Sequence, residues 1–108
     1  MRTIVTVAGS PAPLGDGGLA TAGTINSAFG LALDSGNLYI ADYNNNRVRR
    51  VDQATGTITT FAGTSVAGAG GDGGPAVAAQ LSSPAGLALD SGNLYIAGGN
   101  RVRRVDLR

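Results

Sequence analysis

The chain has 108 residues, a 43% hydrophobic content and a formal net charge of +1, values of an ordinary globular domain rather than a disordered one. All eight bases are Arg and all seven acids are Asp, and there is no Lys, Glu, His or Cys. That inventory excludes Ser-His-Asp and Cys-His catalysis, Schiff-base chemistry, His-ligated metals, a Glu general acid and any disulfide framework. Most hydrolase and lyase mechanisms fall with them; an Asp pair brought together by symmetry remains open, and the expectation is a protein that is not an enzyme, with no cofactor and no metal site.

Taken in order, the N-terminal Thr3, Ile4, Val5, Thr6 and Val7 read as a strand, with no uninterrupted apolar core of a signal sequence. No run approaches the length of a membrane span, so the chain is expected to be soluble, its compartment unread. Four strand-like runs follow at about 28–34, 37–42, 47–52 and 57–62, separated by Gly, Asn or Asp. Ser35-Gly36 and Ala54-Thr55-Gly56 have the lengths of hairpin turns, which predicts an antiparallel four-stranded meander. The first run, with Leu31, Ala32 and Leu33 in succession, is apolar on both faces and belongs innermost; the Thr-rich fourth suits an outer strand.

The pattern then repeats. Residues 30–41 recur unchanged at 86–97, and residues 46–52 recur at 100–106. Weaker echoes relate residues 3–9 to 57–63 and Gly15-Asp16-Gly17-Gly18 to Gly71-Asp72-Gly73-Gly74. Two length differences fall where loops belong: the second copy is longer before its GDGG element and has Gly98-Gly99 where the first has Asp42-Tyr43-Asn44-Asn45.

The run G-L-A-L-D-S-G-N-L-Y-I-A-D-Y-N-N-N-R-V-R-R-V-D, followed by T-G-T-I-T-T-F-A-G and G-D-G-G-P-A-V-A-A-Q-L, resembles the NHL repeats of bacterial β-propellers. The first copy departs from it at Leu19, where Pro75 stands in the second, and the second lacks an Asp42 equivalent. The resemblance implies an all-β propeller with two four-stranded blades per chain. It divides the chain into an outer strand at 1–9, a first blade at 28–63, and a linker loop with the first three strands of a second blade at 64–108.

In a propeller an outer strand leads into the next blade's inner strand, so residues 3–9 have the character of the strand that residues 101–106 lack. The expectation is that Thr3, Ile4, Val5, Thr6 and Val7 pair antiparallel with Arg101, Val102, Arg103 and Val105 of a neighbouring copy, closing a ring by one heterologous interface. Six blades is the common NHL ring size, making a homotrimer the first expectation, with a four-blade dimer or an eight-blade tetramer as alternatives and a piece of a longer propeller as the other reading.

For ligands, the sequence points to the end of the propeller carrying Asp42, Tyr43, Asn44 and Asn45 together with Asp16 and Asp72 of the GDGG elements. These residue types bind glycans, small molecules or RNA, and they equally satisfy turn backbone, Asp16 and Asp72 by capping local N–H groups and Asp72 ahead of a short helical turn from Pro75. The Arg-rich third strands raise nucleic acid, which some NHL propellers bind as RNA. The lack of interleaved aromatics and the near-neutral charge argue against it and favour charged side chains that blunt an exposed edge. The chain's expected partners are therefore copies of itself and other proteins, not nucleic acid or membrane.

Overall fold

The computed structural model describes residues 2–10 and 14–107. Met1 and Arg108, the outermost residues of the expected first strand and second blade, lie outside them. Among the described residues seven strands form: β1 (Ala28–Asp34), β2 (Asn37–Asp42), β3 (Arg47–Asp52), β4 (Thr57–Ala62), β5 (Pro84–Asp90), β6 (Asn93–Gly98) and β7 (Arg101–Asp106). The first four make one antiparallel sheet in sequence order, β1-β2-β3-β4, and the last three make a second, β5-β6-β7. The hairpins close where the sequence places them, with Asp34 opposite Asn37 and Asp52 opposite Thr57. The fold is all-β and propeller-like, two blade sheets stacked through β1 and β2 against β5. Among the described residues no helix is long and apolar enough to cross a membrane.

Strand alternation explains why β2, β3 and β4 of the first blade are buried on both sides. Tyr39, Val48 and Ala62 point to the second blade and pack with Leu81, Leu94 and Ile96. Ile40, Val51 and Ile58 point the other way and pack with Ala20, under a flap that also brings Ala8 and Ile25. Burial and the nearby Asp34 charge raise the Tyr39 phenol above its ordinary value of 10.0.

The two sheets approach closely at Gly30, where a Cβ would overlap the Ala85 carbonyl oxygen of β5. Gly30→Ala is expected to force the blades apart and cost about 1–3 kcal/mol, read as a lowered thermal midpoint. Gly36→Ala is the contrasting variant: its Cβ meets nothing within 4 Å, and only its φ of +112° is penalised.

The two copies are not equally covered. Leu87 and Leu89 of β5 pack onto the core between the blades, whereas the identical Leu31 and Leu33 of β1, with Phe29, are exposed. The expectation of a first strand buried on both faces is therefore corrected for this copy: one flank of β1 has no sheet against it. Residues 2–7 form no strand within the single chain and are exposed throughout, Ile4 at 96%.

Candidate functional site

The third strands of the two blades share the sequence R-V-R-R-V-D, so every difference between them is a difference of surroundings. In β3, Val48 is 0% exposed beneath β4; in β7, Val102 is 71% exposed, with no strand among the described residues on its outer side.

The middle arginine of each copy anchors a GDGG loop. Arg49 is completely buried and donates from Nη2 to Asp16 Oδ1 (2.8 Å) and Leu14 O (2.8 Å), and from Nη1 to Thr24 O (2.8 Å) and Asp42 Oδ2 (3.1 Å). Arg103 repeats the arrangement: Nε and Nη2 reach Asp72 Oδ1 (2.8 Å each), Nη1 reaches Gln80 O (2.8 Å) and Nη2 reaches Gly70 O (3.2 Å). This corrects two expectations. The strand arginines at these positions are not edge charges, because the guanidinium fork turns inward to hold loop carbonyls and a carboxylate. Asp16 and Asp72 are anchors for those guanidinium groups, with Thr60 Oγ1 also donating to Asp16. The helical turn after Pro75 does form, at Ala76–Ala78, without a side-chain cap.

Anchored in this way, the first GDGG loop runs along the outer edge of β4. Gly17 N donates to Ile58 O (2.7 Å), Ile58 N to Gly18 O (2.9 Å) and Ala20 N to Gly56 O (2.7 Å), and Leu19 bridges Thr57. β4 is thus held between β3 and the loop. In the second blade the loop and the third strand stand in the same relation with nothing between them. A slot of about 620 Å³ runs between Gly71–Ala76 on one side and Arg103–Asp106 on the other, floored by Phe61, Ala62 and Ile96.

The loop expected to bind ligands is largely occupied with itself. Asp42 is fully buried and accepts from Asn26 N (2.7 Å), Asn45 Nδ2 (2.8 Å) and Arg49. Asn44 Nδ2 donates to Asn26 Oδ1 (3.2 Å) and Ser27 Oγ (2.9 Å), and Tyr43 stacks on Phe29 at 4.3 Å. The structure brings Asp16 and Asp42 together on Arg49 and leaves Asp72 in the other blade on Arg103. Sequence reasoning missed Arg49 and Arg103 as anchors; the available signal was the recurrence, in each copy, of one GDGG element for one third-strand arginine.

Paired strands in sequence order, stacked blade on blade and tied by a repeated loop anchor, define a propeller-type repeat protein. Residues 28–51 match the NHL repeat. The chain thus carries one matched NHL repeat, and residues 30–41 and 46–51 within it recur at 86–97 and 100–105. It is 38% identical over 80 residues to the chloroplastic protein SUPPRESSOR OF QUENCHING 1 of Arabidopsis thaliana, covering 71% of this chain and 7% of that one. It is 40% identical over 86 residues to Teneurin-3 of Mus musculus, covering 67% and 3%. A crystal structure of a protein of unknown function from Bacteroides thetaiotaomicron VPI-5482 superposes with a TM-score of 0.77 at 27% identity, over 90% of this chain and 26% of that one. The chain therefore spans only a small part of each of these relatives.

Proposed function

We propose that this chain is a self-assembling NHL-type propeller scaffold that presents its loop face to other proteins and carries out no catalysis. In the proposed assembly residues 3–8 of one copy enter the slot of the next, and three chains make a ring of six blades. The observation that carries the reading is the contrast between two identical third strands, one covered by a T-I-T-T-F-A strand and one facing an open slot between it and its GDGG loop. The segment Thr3–Ala8, T-I-V-T-V-A, has the matching sequence and is exposed or half-buried in the single chain.

The first blade supplies the register. Val48 faces Ala62, Arg49 faces Thr60, Arg50 faces Thr59 and Val51 faces Ile58. Transferred to the second blade, Val102 faces Ala8, Arg103 faces Thr6, Arg104 faces Val5 and Val105 faces Ile4 of the next copy. Thr6 then takes the place of Thr60 and donates to Asp72. The anchor of residues 3–8 is already set, since Gly9 N donates to Ala20 O (2.9 Å) as Gly63 N does to Ala76 O (3.0 Å). The same closure covers Phe29, Leu31 and Leu33 with the far face of a neighbouring second blade, removing apolar surface from water at both flanks.

Light scattering on the purified 108-residue chain tests the reading. The expected molar mass is three times the 10.7 kDa of the chain; a well-behaved species at 10.7 kDa contradicts it.

A further inference from the structure

The copies differ most at the end of the second strand. Asp42 lies opposite Arg47, and Gly98 lies opposite Arg101, so Gly98 occupies the Asp42 position. The turn Tyr43–Asn45 that follows Asp42 is shortened in the second copy to Gly99. Where that carboxylate and turn sit in the first blade, the second has a cavity of about 320 Å³ lined by Ser82, Gly98, Gly99, Asn100, Arg101 and Arg103 and closed below by the apolar side chains of Leu81 and Ile96.

The arginine facing this cavity has lost a partner. Arg49 Nη1 serves both Thr24 O and Asp42, whereas Arg103 Nη1 has the Gln80 carbonyl and no carboxylate. The backbone at 98 cannot supply one, because a Cβ there would lie 2.8 Å from Ser82 O and 2.9 Å from Pro84 Cα. A carboxylate at this place has to arrive from outside the strand. A guanidinium Nη1, a second arginine on the rim, an asparagine and a serine form a donor-rich mouth over an apolar floor, the chemistry that holds a carboxylate head and a short hydrocarbon tail.

From these features we infer that the cavity beside Arg103 binds a small aliphatic monocarboxylate, standing where Asp42 stands in the first blade. This inference needs neither residues 3–8 nor a second copy, and because Arg101 and Arg103 lie on the strand that the proposed closure pairs, it is tested in the dissociated chain.

Titration of the isotopically labelled Ile4→Asp chain with acetate and with butyrate, at ionic strength held constant with chloride, tests it by nuclear magnetic resonance. Saturable shifts are expected at the Gly98 and Gly99 amides and the Arg103 side chain, with Asn44 and Asn45 of the first blade unmoved and butyrate binding more tightly than acetate. Arg101→Gln, a change at an exposed position, is expected to weaken binding about tenfold by removing one charge-assisted contact. Arg103→Lys, which keeps the charge and loses the fork, should weaken it at least as much. Linear, non-saturating shifts, or unchanged affinity in both variants, overturn the site. Inorganic phosphate binding as tightly as butyrate overturns the assignment of a carboxylate with an apolar tail.

Discussion

Replacing Arg49 with Ala is expected to cost the chain about 3–5 kcal/mol, whereas Arg103→Ala in the same hexapeptide costs about 1–2 kcal/mol while the chain is dissociated. The difference comes from what each change leaves behind. Asp42 is completely buried, and without Arg49 its charge keeps only the Asn26 and Asn45 donors; Asp72 is 75% exposed and is rehydrated when Arg103 goes. Leu14, Thr24 and the flap over Ile40 and Ile58 lose their tie with Arg49, so the first blade's second core opens as well. Urea midpoints should be compared in an Ile4→Asp background that keeps chains apart, because assembly adds to apparent stability. In the assembled protein the strand laid across β7 covers Arg103, and the gap between the two variants narrows. Equal losses in the dissociated chain contradict the assignment of Arg49 as the buried anchor.

Ile4→Asp is expected to abolish assembly without unfolding the chain. Ile4 is 96% exposed in the single chain, so the substitution removes no existing contact, while its first-blade counterpart Ile58 is 0% exposed. Carrying Asp to that position forfeits about 1.5–3 kcal/mol of apolar burial and adds the cost of an unpaired carboxylate beside Val105. A loss of that size raises the dissociation constant by about 100-fold or more. Val5→Thr is the informative companion: its counterpart is Thr59 opposite Arg50, so a threonine is expected to fit and the mass should stay that of the parent. Light scattering across a dilution series reads both, and an Ile4→Asp variant that keeps the parental mass contradicts the register.

The strands and hairpins were legible because alternation, turn residues and an internal repeat all specify the same meander. β1 to β4 occupy the residues that the sequence pattern marks out. The turn at Ala76–Ala78 was legible through Pro75, but its twin at Ala20–Ala22 was not, since Leu19 carries no such signal. The anchors were hidden for a different reason. Arg49 finds Asp42 seven residues away and Asp16 thirty-three away, a convergence set by the stacking of loop on sheet rather than by local spacing. A strand arginine beside valines therefore reads as an exposed edge until the flap that buries it is seen. The candidate ligand loop misled in the opposite sense: Asp42, Asn44 and Asn45 have the residue types of a binding site and spend them on Asn26, Ser27 and each other. The shortened loop of the second copy, which offers fewer functional groups in sequence, is the one that leaves a cavity.

The most direct measurement is a cross-link. The chain has no cysteine, so Ile4→Cys combined with Val105→Cys introduces the only two thiols. Facing residues on antiparallel strands lie roughly 4.5–5.5 Å apart at Cα, within disulfide reach. Under mild oxidation these variants should join chain to chain, giving covalent multiples of the chain mass on a non-reducing gel, while Ile4→Cys with Arg104→Cys, one residue out of register, stays unlinked. Monomers alone from the in-register pair, or equal linking from both pairs, would mean that residues 3–8 do not complete the second blade.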